Sequence, residues 1–82
     1  MTPEDIRNIE ECKSIDGATW LEIHAWGRKS GKLQRWQDGI AKSLAELAAL
    51  GWTKGPSIKQ ARQGVKIIDL AREAGIAINS RQ

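Results

Sequence analysis

The sequence predicts an all-α fold, a compact bundle of about four short helices, and three observations favour it. Apolar residues recur at three- and four-residue steps, which is the spacing of one face of a helix. Segments with this spacing follow capping residues such as Thr2 and Ser57 and are closed by glycine. Of the 82 residues, 40% are hydrophobic and 28% are charged, which is typical of globular proteins, and we expect a single domain over 1–82.

The first helix is expected to begin at "TPED". Thr2 can cap it, and Pro3 suits the first helical position because its missing N–H would have no partner there. Glu4 and Asp5 complement the positive end of the helix dipole. Gly17 is expected to end the segment. The apolar residues of the helix share one face: Ile6, Ile9 and Cys12.

The second element has two interpretations. Thr19 and Glu22 fit a capping box, which predicts a short helix from Trp20 to about Lys29. Alternatively, "TWLEIHAW" alternates like a strand and "RKSG" can turn, which gives an α+β fold with a small hairpin at residues 19–36. We favour the helix, because the second strand would be only "KLQRW" and an isolated hairpin is weak.

The third helix is expected to begin at Lys32 and to end at "LGW". Gly51 stands where a left-handed C-cap is expected, and Trp52 should pack back on the helix. The apolar stripe of this helix recurs at three- and four-residue steps: Leu33, Trp36, Ile40, Leu44 and Leu47.

The fourth helix is expected to open with a capping box formed by Ser57 and Gln60. The glycine of "EAGI" should end it, in the same way as the third helix ends. Ile76 and Ile78 are expected to fold back on the bundle, whereas the tail 79–82 should be frayed. The apolar stripe of the fourth helix comprises Ile58, Ala61, Val65, Ile68 and Ala71.

Charge is distributed unevenly along the chain, although the net charge is only +3. Residues 1–27 contain six acidic and two basic side chains, whereas residues 28–66 contain nine basic and two acidic ones. This asymmetry within one small protein favours a polyanionic partner. The alternative is a solvated surface whose asymmetry has no functional role.

The residue content argues against enzymatic and metal sites. "GRKSGKL" is not a phosphate-binding loop of the Walker type, because its glycines are one residue too close and Leu33 replaces the required hydroxyl. His24 is the only histidine and Cys12 the only cysteine, whereas a structural zinc site needs four ligands. Nucleophilic catalysis needs a base beside the nucleophile. We therefore expect no enzyme activity, no metal and no cofactor.

Cysteine usage and hydropathy predict a cytoplasmic protein without a membrane partner. One cysteine cannot form an intramolecular disulfide, and the chain contains no apolar run of about 18 residues. The segment "MTPEDIRNIEEC" is acidic and lacks the apolar core of a signal peptide.

Basic residues surround the expected starts of the third and fourth helices. A helix N-terminus attracts anions, and a cation there costs about 0.3–1 kcal/mol. Stability alone would not select cations at two helix starts, so we expect phosphate groups to bind there. The alternative is that these side chains simply extend into solvent, where salt screens the unfavourable interaction. The residues concerned are Arg28, Lys29, Lys32, Arg35, Lys54 and Lys59.

The fourth helix adds a polar ridge formed by Lys59, Arg62, Gln63 and Lys66, which are spaced to share one face. Such a ridge can follow a nucleic-acid backbone or enter a major groove, where Gln63 would read adenine. The corresponding architecture is a variant helix-turn-helix, with helices at 42–50 and 57–68 and a turn longer than usual.

These patterns predict a small nucleic-acid-binding protein, with DNA preferred over RNA as the partner. Trp26 or Trp52, if exposed, would stack on unpaired bases, while most of the tryptophans are expected in the core. The alternative is a protein-interaction module: an adaptor, inhibitor or regulatory subunit of the kind that phages and plasmids encode. It would dock through charged helices and exposed tryptophan, on another protein or as a homodimer.

Overall fold

The computed structural model describes residues 1–78, which form four helices and no strand. The predicted all-α bundle is confirmed. The alternative hairpin at 19–36 is wrong, because helix covers most of that segment. The predicted frayed tail, 79–82, lies outside the described residues. The helices are α1 (Pro3–Lys13), α2 (Gly17–Ser30), α3 (Arg35–Ala49) and α4 (Ile58–Glu73).

Helix α1 begins as predicted, with Thr2 as its cap. The Asp5 N–H donates to the Thr2 hydroxyl at 3.2 Å, and the Thr2 N–H donates to the Asp5 carboxylate at 3.1 Å. The bond from the Thr2 backbone contributes most to lowering the pKa of Asp5 below its ordinary value of 3.8. Cys12 is fully buried and Ile9 partly, whereas Ile6 is exposed, so only the second half of the predicted stripe faces the core.

Helix α2 begins three residues before its predicted start. Its cap is Asp16, whose Oδ1 accepts the Thr19 N–H at 2.8 Å. Thr19 itself lies in the first turn and is buried. The capping-box spacing of Thr19 and Glu22 was misleading, because an aspartate three residues upstream is an equally good acceptor for the first-turn amides.

Helix α3 begins at Arg35 and not at Lys32, because the chain between α2 and α3 is a separate connection. Gly31 has a φ of 69°, a left-handed conformation that ends α2. The Gln34 N–H then donates to the Gln37 side-chain oxygen at 3.0 Å, which fixes the first turn of α3.

The later start of α3 changes the predicted apolar stripe. Leu33 is buried in the connection, in contact with Gly27, where any Cβ atom would lie 2.4 Å from Leu33 Cδ1. Trp36 is 49% exposed. Leu44 is fully buried, as predicted.

Both α3 and α4 end with the predicted glycine cap. At the end of α3, the Trp52 N–H donates to the Leu47 oxygen and the Gly51 N–H donates to the Ala48 oxygen, each at 2.9 Å. Gly51 has a φ of 71°, which glycine adopts without steric cost. The glycine and isoleucine of "AGI" form the same two bonds at the end of α4.

Helix α4 opens with the predicted capping box. The Gln60 N–H donates to the Ser57 hydroxyl at 3.1 Å, and the Ser57 N–H donates to the Gln60 side-chain oxygen at 2.9 Å. Ile58 and Val65, which were expected in the stripe, are only partly buried. The buried face consists of Ala61, Gly64, Ile67, Ile68 and Ala71.

The core lies among the four helices and contains Trp20. The Trp20 indole N–H donates to the Cys12 carbonyl oxygen at 3.1 Å, which satisfies its only polar group. Helix α2 packs mainly on α3 and α1 mainly on α4, while contacts between α3 and α4 join the two pairs. Ile76 and Ile78 pack against this core, as predicted.

Candidate functional site

The predicted site residues fall into two groups at different places on the bundle. All of the cations in both groups are exposed. The junction cations lie where α2 ends and α3 begins: Arg28, Lys29, Lys32 and Arg35. The second group surrounds the start and the outer face of α4: Lys54, Lys59, Arg62, Gln63 and Lys66.

Arg28 and Lys29 do not flank a helix start, which corrects the prediction made for them. They occupy the last turn of α2, at the negative end of the helix dipole. Cations there stabilise a helix by about 0.3–1 kcal/mol, so helix stability alone accounts for these two charges. Their place in α2 agrees with the predicted end of the second helix at about Lys29, and because α3 begins only at Arg35, neither residue lies in its first turn.

Lys32 lies near the end of α4, in a groove that it lines with Trp26, Leu70 and Glu73. Lys59 is in the first turn of α4. At 1.5 Å per residue, most of the length of α4, about 20 Å, separates this groove from Lys59. Lys32 and Lys59 therefore do not belong to one compact anion site, and a ligand that contacts both must be extended.

Arg28 and Arg35 line a shallow groove that also contains Asp38. Asp38 Oδ1 is buried and lies 2.8 Å from His24 Nδ1. When this nitrogen carries a proton, it donates a hydrogen bond to the carboxylate oxygen. The same nitrogen lies 3.3 Å from the Asp38 carbonyl oxygen. His24 thus links α2 to α3, and the carboxylate beside the arginines reduces the positive potential of this groove.

The outer face of α4 is not the single ridge that the sequence predicts. Arg62 Nη2 lies 3.6 Å from Asp5 Oδ1 of α1, a weak pair because the arginine side chain is 58% exposed. Gln63 lies on the other side, facing α3, and is partly buried. Its Oε1 is buried and has no hydrogen-bond partner within residues 1–78. Lys59 and Lys66 remain exposed, two turns apart on the same face.

A cleft of about 500 Å³ lies between the first two turns of α3 and those of α4, and we refer to it as the α3–α4 cleft. Helix α3 provides an apolar wall and α4 a polar one with a single lysine. The lining residues are Trp36, Ile40, Ser57, Lys59, Gln60 and Gln63.

Trp36 is the functional candidate that the sequence analysis missed. Trp20 and Trp52 are buried and Trp26 is partly buried, so Trp52 does not meet the condition of exposure on which its predicted stacking role depended. The indole N–H of Trp36 donates to the Gln34 side-chain oxygen at 2.7 Å, which holds the exposed ring in one orientation. The capping-box spacing of Gln34 with the glutamine three residues later was the signal that could have located this helix start.

The start of α4 combines backbone donors with cations. The amides of Ile58 and Lys59 belong to the first turn and have no intrahelical acceptor. Lys54 lines an adjacent groove with Ser57 and Gln60. Of the two basic helix starts that the sequence predicts, this one has the expected geometry.

The predicted helix-turn-helix is only partly matched. Segments 42–50 and 57–68 are almost entirely helical, within α3 and α4. However, the eight residues 50–57 connect them, whereas the usual turn has three or four. Gln63 faces the α3–α4 cleft and is therefore poorly placed to read a major groove.

Other chemistry is limited in the described part of the chain. No group of three or more His, Cys, Asp or Glu side chains within residues 1–78 is arranged to hold a metal ion. None of the helices described is long and apolar enough to cross a membrane. Burial raises the pKa of the Cys12 thiol to about 12, which suppresses its nucleophilicity. Comparisons with protein-family models, with curated proteins and with solved structures yield no match.

Proposed function

We propose that this protein binds nucleic acid through the exposed cations at the start and along the outer face of α4. The observation that carries the proposal is the pairing of an exposed aromatic ring with a cation: Trp36 and Lys59 line the same cleft. Aromatic stacking on bases combined with cations for the backbone is the common chemistry of nucleic-acid-binding surfaces.

Three lysines supply the electrostatic part of this surface. Lys54 and Lys59 are close to the first-turn amides of α4, and Lys66 continues the positive charge along the helix. Phosphate oxygens accept hydrogen bonds from both backbone N–H groups and lysine, so the two kinds of donor reinforce each other. A ligand that contacts both Lys59 and Lys32, one of the junction cations, must extend over about 20 Å.

Salt dependence tests the proposal directly. Contacts to about three phosphates predict that the logarithm of the binding constant falls with the logarithm of salt concentration at a slope of about −2 to −3. Fluorescence anisotropy of a labelled oligonucleotide, measured over a series of KCl concentrations, gives this slope. Affinity that does not change with salt would contradict the proposal.

Charge reversal locates the surface. Lys59→Glu should weaken binding and reduce the steepness of the salt slope by about 1 or more. The matched control is Lys42→Glu, since Lys42 is also an exposed lysine of a long helix but lies about 120° around α3 from Trp36. Equal losses for the two variants would indicate non-specific attraction to the net charge and would refute the assignment to α4.

Protein binding is the second candidate function, and the exposed apolar face of α3 favours it. Trp36 and Leu50 are exposed, and Ile40 and Leu47 between them are only partly buried. Large exposed aromatic and aliphatic side chains are typical of protein interfaces. Light scattering after size exclusion tests self-association, and a pull-down that resists nuclease treatment would favour a protein partner over nucleic acid.

A further inference from the structure

We infer that the α3–α4 cleft receives an unpaired base, so that the protein prefers single-stranded nucleic acid to duplex. This inference deepens the function proposed above and depends on it. It concerns the substrate class, and it follows from the shape and lining of one cleft rather than from the charges.

Trp36 provides a stacking platform that is already oriented. The ring is 49% exposed, and its N–H is held by Gln34 at 2.7 Å. Every base offers a π-face, so an exposed indole can stack on any of them without reading sequence. A ring fixed before binding loses little side-chain entropy when the base arrives.

The opposite wall of the cleft offers polar groups to a base edge. Gln63 lines the cleft, and its buried Oε1 has no hydrogen-bond partner within residues 1–78. The side chain therefore breaks no hydrogen bond of this oxygen when it turns towards the cleft to accept from a ring N–H or an amino group of a base. The Gln60 side-chain oxygen is occupied by the Ser57 N–H, which leaves the Gln60 amide nitrogen as a donor. The cleft therefore presents both an acceptor and donors opposite an aromatic face.

The size of the cleft suits a nucleotide. Its volume of about 500 Å³ lies within the range of about 300–1,000 Å³ that is usual for small-molecule sites. Lys59 at its rim can contact the phosphate attached to the inserted base, and Lys54 lies on the adjacent groove for a neighbouring phosphate.

A duplex cannot use the cleft in this way. Its bases are paired and stacked inside the helix, so a base would have to be unstacked at a cost before it reached Trp36. The lysines can contact the phosphates of either form. Phosphate contacts thus supply affinity for both substrates, whereas the cleft supplies the preference for a single strand.

The experiment compares an oligothymidylate of about 12 nucleotides with a duplex of the same length, by anisotropy at one salt concentration. The single strand should bind more tightly. Trp36→Ala should weaken single-strand binding by about 5- to 150-fold, the effect of losing one base stack, and should leave duplex binding unchanged. Trp36→Phe keeps an aromatic face and should retain most of the affinity.

Leu21→Ala is the matched control, because Leu21 is also an exposed apolar side chain, on α2, and its removal should change neither affinity. If Trp36→Ala loses its helical circular dichroism, tryptophan emission of the unaltered protein decides: the single strand should quench it and the duplex should not. Three results would overturn the inference and leave nucleic-acid binding intact. They are equal affinity for single strand and duplex, equal quenching of the tryptophan emission by both, and equal loss of affinity for both in Trp36→Ala. Absence of salt-dependent binding to either substrate would overturn both.

Discussion

Gly64 of α4 packs against side chains of α1, α2 and α3, and replacing it with alanine tests this packing. A Cβ atom at this position would lie 2.7 Å from Cys12 Sγ, 2.9 Å from Leu44 Cδ1 and 3.5 Å from the Trp20 ring. The distances to Cys12 Sγ and Leu44 Cδ1 are shorter than the contacts that Cβ atoms make in folded proteins. All three neighbours are fully buried, so they cannot move into solvent to make room.

The expected magnitude follows from two opposing terms. Alanine favours the helix over glycine by about 1 kcal/mol. Overpacking a core costs about 1–3 kcal/mol, and close contacts with two separate buried side chains place Gly64→Ala in the upper part of that range. The net loss should be about 1–2 kcal/mol, which corresponds to a decrease in Tm of about 5–15 °C for a domain of this size.

Gly39 provides the matched control, because it lies inside α3 and a Cβ atom there meets no atom within 4 Å. Gly39→Ala should therefore raise the Tm, by about 4–8 °C, through helix propensity alone. Both variants change glycine to alanine inside a helix, so the difference between them isolates the packing term.

Thermal unfolding followed by circular dichroism at 222 nm measures both variants. Combining Gly64→Ala with Cys12→Ala removes the nearest clash, and the double variant should be more stable than the sum of the single losses predicts. A Gly64→Ala protein as stable as the unaltered one would refute the close packing of α1 and α3 against α4. A destabilised Gly39→Ala protein would refute the helix-propensity term.

Two further predictions concern titratable groups. The pKa of Cys12 is raised from 9.0 to about 12 by burial, so its thiol should react with Ellman's reagent only as fast as the protein unfolds, and rapid reaction of the native protein would contradict the burial. The stability that the buried thiol contributes is complete below pH 9.0 and should be lost as the pH rises towards 12. Cys12→Ala should not show this alkaline loss of stability. The pKa of Asp5 is lowered in the folded protein, so its carboxylate stabilises the fold above pH 3.8, and this stabilisation is lost as the pH falls towards the folded pKa. Asp5→Asn should therefore make the Tm less sensitive to acid. If the dependence of the Tm on pH is the same in both proteins, the hydrogen bonds with Thr2 do not favour the charged carboxylate.

The elements with local signals were the ones that the sequence predicted well. Thr2 and Ser57 cap α1 and α4 as expected, and the glycines of "LGW" and "AGI" close α3 and α4. Each of these devices is completed by atoms within five residues along the chain. The second helix shows the limit, because Asp16 and Thr19 are both good caps and only the folded chain selects between them.

The candidate site was predicted less well, for the reason that helical spacing does not reveal exposure. Trp36 has the spacing of a core residue, yet it is half exposed, because α3 starts at Arg35 and its first turn lies at the rim of the bundle. Gln63 has the spacing of a surface residue, yet it faces α3. Arg28 and Lys29 were assigned both to the end of the second helix and to the surroundings of the third, and only the first placement holds, because α3 begins at Arg35.

The sequence by itself determined that the chain is helical, where most of the helices stop, and that its positive charge is concentrated after residue 27. The first two properties depend on backbone and capping hydrogen bonds between residues that are close along the chain, and the third is a count of charged residues. Only the tertiary structure decided that Trp36 and Lys59, 23 residues apart, line one cleft, and that the junction cations do not join them. The arrangement of these residues depends on the distances between the helices. Those distances are set by packing at positions such as Leu33 and Gly64, and no local sequence pattern encodes them.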